Sequence, residues 1–123
     1  MFSSTGNLHY GPGIRIIVSI DQGIVDYYRN LIPKHHNVQP QKYGAHVTVL
    51  RTGVEQPTNL AVWGKHQGAS VLFDYSPEIQ YDGTYWFLNA TSQKIGDIRE
   101  ELGLPRFRFP DRSYYHISLG NTK

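Results

Sequence analysis

Two short stretches carry the residues best suited to chemistry: His46-Val47-Thr48 in "YGAHVTVL" (43–50) and His116-Ile117-Ser118 in "SYYHISLG" (113–120). Each places an imidazole and a hydroxyl two residues apart, with apolar residues between and after them. Side chains on a strand alternate between faces, so His46 and Thr48 share one face while Val47 and Val49 share the other. His116 and Ser118 oppose Ile117 and Leu119 in the same way. An imidazole titrates near neutral pH, so two of them can supply a base and an acid at once. Two hydroxyls beside them can hydrogen-bond the non-bridging oxygens of a phosphate and stabilise the charge that grows there. The set of four is therefore suited to opening a phosphodiester without a metal. Either tripeptide alone is weak, since a strand His followed two residues later by Thr or Ser is usually just a polar exposed face. The weight rests on the pair.

The elements that must position these residues recur in order. "IRIIVSI" (14–20) reads as a strand, and "DQGIVDYYRNLI" (21–32) as a helix capped by Asp21 and stopped by Pro33. "AHVTVL" (45–50), "ASVLFDY" (69–75) and "TYWFLNA" (84–90) read as strands. "TSQKIGDIREELG" (91–103) reads as a helix with Thr91 as cap and Gly103 as stop, and "YHISL" (115–119) as the last strand. Residues 53–68 read as a loop with a short element around Leu60 to Trp63. Gly13 and Gly83 are 70 residues apart, as are His46 and His116, and Val25, Tyr28 and Ile32 fall on Ile95, Ile98 and Leu102. The expectation is a single α+β domain over 1–123, with two pseudosymmetric strand-helix-strand lobes (about 13–50 and 69–119). Their antiparallel sheets flank a central cleft, with the motif strands facing each other across it.

Composition sets bounds on this reading. A chain of 123 residues with 39% hydrophobic content is the size of one domain. Twelve basic against 10 acidic residues argue against a protein that coats long nucleic acid, yet leave room for a small anionic ligand. The absence of cysteine excludes disulfides, thiolate metal sites and a cysteine nucleophile. No signal sequence or long apolar run is present, so the expectation is a cytoplasmic protein with no membrane association and no obligate protein partner. His35-His36 beside Lys34 reads as a solvated turn without further ligands, so no metal and no cofactor are expected.

Substrate contacts are sought among the aromatic and basic residues near the motifs. Tyr43 precedes His46 by three residues, Tyr114 and Tyr115 run into His116, and Tyr10 lies in a Gly-rich N-terminal segment suited to folding over a cleft. A tyrosine ring can stack on a nucleobase, worth about 1–3 kcal/mol, although most tyrosines simply pack. Arg15 shares a strand face with the cleft and Tyr85 is its repeat partner. "PRFRFPDRSYYH" (105–116) interleaves Arg106, Arg108 and Arg112 with Phe107 and Phe109, and Arg108 is taken as a phosphate or base contact. Tyr10, Arg15, Tyr43, Tyr85, Arg108 and Tyr114 are thus the candidate substrate-binding residues.

With "HVTV" and "HISL" at the ends of two matching halves, the chain from about Gly13 to Leu119 resembles the 2H phosphoesterases, which carry two His-x-Thr/Ser motifs. Its size is most similar to the small phage anti-CBASS phosphodiesterases and the Swiss army knife RNA-repair-like group. The resemblance implies His46, Thr48, His116 and Ser118 as catalytic residues. It also implies a cyclic oligonucleotide or an RNA 2′,3′-cyclic phosphate as substrate, acted on in the host cytoplasm if the chain is phage-encoded. A module that sequesters a nucleotide without cutting it would need neither both histidines nor both hydroxyls.

Overall fold

The computed structural model describes residues 1–40, 44–51, 53–107 and 113–122. In chain order the elements are β1 (Phe2–Tyr10), β2 (Ile16–Ser19), α1 (Gln22–Asn30), β3 (Gln39–Pro40), β4 (His46–Leu50) and β5 (Ser70–Tyr75). There follow β6 (Gln80–Tyr81), β7 (Tyr85–Thr91), α2 (Gln93–Glu101) and β8 (Tyr115–Asn121), with 3-10 turns at Lys34–His36 and Leu60–Val62. All pairings are antiparallel, in the order β8-β4-β2-β1-β5-β7, and β7 returns to pair with β8. Six strands thus close into a barrel, with the two-residue strands β3 and β6 added at its margins.

This corrects the expected two-lobed α+β architecture: there are no separate strand-helix-strand lobes and no cleft between them. The physical reason lies at the N-terminus. The Gly-rich segment expected to fold over a cleft is instead the nine-residue strand β1, which pairs with β2 on one side and β5 on the other and so joins the two halves edge to edge. Its inner face carries Ser4, Gly6, Leu8 and Tyr10, a pattern too polar to announce a strand. Gly6 is required there, because a Cβ would strike the Ser19 carbonyl and the Val18 side chain of β2.

The 70-residue repeat survives inside the barrel. Val47 and Ile117, equivalent positions, are each other's cross-strand partners, as a two-fold axis through that rung demands. The register shifts also match: β2–β4 skips Val49 between the Ile16 and Ile17 rungs, and β7–β8 skips Leu119 between the Trp86 and Phe87 rungs. Each skipped residue directly follows a motif hydroxyl.

One face of every barrel strand is almost fully excluded from water: Leu8, Ile16, Val18, Val47, Val49, Val71, Phe73, Leu88, Ala90, Ile117 and Leu119 are at most 1% exposed. Two nine-residue helices cannot wrap a six-stranded circumference, so this face is the barrel interior, filled by side chains as in other narrow barrels. The helices close its ends. α2 reaches strands on opposite sides of the ring, with Arg99 bonded to the Val49 carbonyl of β4 and Lys94 to the Ser70 carbonyl of β5. α1 brings Tyr28 against Tyr75 at the far end of β5.

Helix caps follow the local chemistry. Asp21 caps α1 by accepting from the Gly23 N–H at 2.9 Å. α2 starts one residue later than expected: Thr91 ends β7, and Ser92 caps the helix by accepting from the Ile95 N–H. Gly103 ends it at φ +83°, where its lack of a Cβ also lets Thr58 approach. No helix among the described residues is long and apolar enough to cross a membrane.

Candidate active site

The barrel's inner packing dictates what its outer wall presents. A one-residue slip of β4 would turn Val47 and Val49 to solvent at about 1.5–3 kcal/mol each, and would bury His46 and Thr48 without partners. The register is therefore held by the core, and the polar side chains are displayed outward as a consequence. Because Val47 stands opposite Ile117, antiparallel pairing sets His46 beside Ser118 and Thr48 beside His116. Directly opposed Cβ atoms lie about 4.5–5.5 Å apart and diagonal ones about 7–8 Å. The two imidazoles thus stand at one diagonal of a four-residue block and the two hydroxyls at the other.

Neighbouring strands extend the block in two rows. β2 puts Ser19 opposite His46 and Ile17 opposite Thr48. β7 puts Phe87 opposite Ser118 and Asn89 opposite His116. These four flanking residues obey the same 70-residue correspondence, Ser19 with Asn89 and Ile17 with Phe87. The bulges after Thr48 and Ser118 interrupt regular pairing next to the block and sharpen the local twist, a device common beside active sites. Thr48 is exposed, and His46, His116 and Ser118 are half-buried.

The two histidines sit in different surroundings. His46 Nδ1 lies 2.7 Å from the Gly44 carbonyl oxygen, which can only accept, so Nδ1 carries the hydrogen of this bond. The approach to His46 is pinned by Gln22 of α1, whose Oε1 accepts from the Ala45 N–H at 2.9 Å. His116 lies against the ring of Phe87, centroids 4.2 Å apart. The Asp82 carboxyl is held below its ordinary value, first by hydrogen bonds from the Tyr85 and Thr84 amides and in smaller part by attraction to His116.

Of the residues proposed from sequence to bind substrate, alternation along β7 places Tyr85 on the outer face, two positions from Phe87, and Arg15 directly precedes β2. Tyr114, 47% exposed, directly precedes β8 on the side of His116. Tyr10 is separated from them. It lies on the inner side of β1 with Leu8, its ring packs edge-on to Trp63 at 5.1 Å, and its hydroxyl accepts from the His66 N–H at 3.3 Å. Burial pushes its hydroxyl pKa upward. Tyr43 and Arg108 lie outside the described residues. His36 of the presumed solvated turn is exposed but meets the Trp86 ring at 5.0 Å.

Ser19, Asn89, Ile17, Phe87 and Asp82 were not singled out from sequence. The repeat offset was the available signal for the first four, since it maps one flanking pair onto the other. Which strands flank the motifs is a matter of long-range pairing, however, and no local pattern states it.

A groove of about 730 Å³ lies elsewhere, between α2 and β5, lined by Leu72, Ser92, Lys94, Ile98 and Phe107 among others. A smaller one of about 380 Å³ occupies the repeat-related place beside α1. Each forms where a helix end-cap meets the barrel rim, and neither includes a motif residue. Among the described residues no three His, Asp or Glu side chains gather as a metal site. No protein-family model, no curated protein and no solved structure matches the chain.

Proposed function

We propose that the chain is a cytoplasmic, metal-independent phosphodiesterase that hydrolyses cyclic oligonucleotides by two-histidine acid–base catalysis. The observation that carries this reading is the single rung Val47↔Ile117, which sets two imidazoles and two hydroxyls into one outward block. A phosphate seated over the block meets an imidazole on each side, the arrangement an in-line displacement needs. His46, with its tautomer fixed by Gly44, takes the proton from the attacking water as the new P–O bond forms. His116, acting as the acid, gives its proton to the oxygen that leaves as the old P–O bond breaks. Thr48 and Ser118 donate to the non-bridging oxygens, where negative charge grows in the transition state. Tyr85 of β7 and the exposed Tyr114 just before β8 offer rings to flanking bases.

The test is incubation with cyclic dinucleotides, cyclic trinucleotides and a 2′,3′-cyclic mononucleotide in saturating EDTA, followed by chromatography. Linear products from the cyclic oligonucleotides are expected. Turnover of the 2′,3′-cyclic phosphate alone would move the assignment to RNA-end processing. Tight binding without any product would make the chain a sequestering module. Activity lost to EDTA and restored by Mg²⁺ or Mn²⁺ would overturn the mechanism.

A further inference from the structure

Among the described residues Arg99 is the one charged side chain buried with the apolar core, 1% exposed, and four of its five N–H donors are used. From α2, Nη1 donates to the Val49 carbonyl at 2.6 Å and to Glu55 Oε1 at 3.0 Å, Nη2 to Glu55 Oε2 at 2.6 Å, and Nε to the Pro105 carbonyl at 2.8 Å. Val49 is the residue the β2–β4 bulge leaves out of the ladder, and it directly follows Thr48. A bulged residue has lost the pairing that fixes its peptide plane, so the orientation of the chain at Thr48 depends on whatever holds that carbonyl. Here the holder is a buried bidentate ion pair, Glu55 being only 11% exposed.

The internal repeat supplies a control. Arg29 of α1 occupies the equivalent helix position, yet it turns to Asp26 at 3.1 Å on its own helix and is 27% exposed. Two halves that match in strands, helices and bulges therefore differ at this point. The two ends of the barrel thus do not share a need for a buried arginine in the end-cap helix.

We propose that Arg99 is a positioning residue of the active site, clamping the bulged Val49 carbonyl so that the Thr48 hydroxyl is aimed at the phosphate. The proposal rests on the phosphodiesterase reading above. A lysine cannot replace the clamp, because an ammonium is a point donor whereas the guanidinium fork holds carbonyl and carboxylate together.

The experiment compares wild type, Arg99→Lys, Glu55→Gln, Arg29→Ala and Val25→Ala, the last a destabilised core variant of α1. Thermal melts are recorded for each, kcat and KM are measured on a cyclic dinucleotide in EDTA, and Thr48 is followed by NMR during titration with inorganic phosphate. Arg99→Lys is expected to lose on the order of 10²-fold in kcat with little change in KM, and to lose the phosphate response at Thr48. Glu55→Gln should lose less, while Arg29→Ala and Val25→Ala retain kcat despite the lower melting temperature of the latter. The proposal is overturned if Arg99→Lys loses no more kcat than Val25→Ala, or keeps the wild-type phosphate response at Thr48. Should Arg99→Lys not fold, Glu55→Gln decides by the same two readings. If the wild type binds phosphate at Thr48 but turns over no phosphodiester, the phosphodiesterase reading fails while the clamp is still judged by the phosphate response. No response in the wild type overturns both.

Discussion

Replacing His46 and His116 with alanine, singly and together, probes whether the outer-wall block works as one unit. The diagonal of the block is about 7–8 Å, a span over which two imidazoles can approach one phosphate from opposite sides. Each proton transfer contributes about 10²–10⁴ in rate, or about 2.7–5.4 kcal/mol at 1.36 kcal/mol per decade. Were the two contributions independent, the double variant would lose about 10⁴–10⁸. Groups that serve one transition state are strongly non-additive, so the double variant is expected to be about as slow as the slower single one. Both side chains lie on the outer wall, away from the filled interior, so their removal should leave stability within about 0.5 kcal/mol. The assay is the initial rate on a cyclic dinucleotide and on bis(p-nitrophenyl) phosphate in EDTA, across pH. Each single variant should lose turnover on both substrates across the whole pH range. A folded single variant with near-normal turnover, or a double variant that loses the full product, would refute the reasoning.

Three further outcomes are expected. Tyr114→Ala should alter the ranking among bases by about 1–3 kcal/mol in binding, whereas Tyr10→Ala should leave the ranking unchanged and lower stability, since Tyr10 packs on Trp63; substrate panels and urea melts separate the two, and a shifted ranking for Tyr10→Ala would contradict its placement. Gly120→Ala should destabilise by about 1–3 kcal/mol through overpacking, because a Cβ there meets the Val38 side chain and the Gln39 carbonyl of the strand docked on β8; an unchanged urea midpoint would refute this. Glu101 is held below its ordinary value near 4.5, chiefly by the hydrogen bond to His66. A depressed acid lends stability that is complete above its unfolded pKa and is lost as pH falls through the lower folded one, so thermal stability should decline below about 4.5. Removing the partner in His66→Ala should make that decline shallower, and an identical acid limb in both proteins would exclude the linkage.

Much of the site was legible in sequence because it depends on local rules. The alternation His-apolar-hydroxyl-apolar settles which side chains share a strand face, whatever the strand packs against, and Val47, Val49, Ile117 and Leu119 are buried as that rule requires. The helical spacing of Val25 with Tyr28 and of Ile95 with Ile98, and the Asp21 cap, are equally local, and the 70-residue repeat is read by comparing such local patterns. Tertiary structure alone decided which strands are neighbours. β1 presents Ser4 and Gly6 where an apolar residue would have advertised a strand, and Gly6 is small because β2 passes against it, a reason visible only after the two have paired. Once β1 joins β2 to β5 the sheet closes, and the motif strands become adjacent staves of one wall instead of facing strands across a cleft. The same closure sends Tyr10 inward and brings Ser19 and Asn89 beside the histidines. It also carries Arg99, an unremarked residue in a short helix, to the carbonyl beside Thr48. Face and periodicity follow from bond geometry within a few residues, whereas adjacency follows from hydrogen bonds between segments far apart in the chain, which no local pattern encodes.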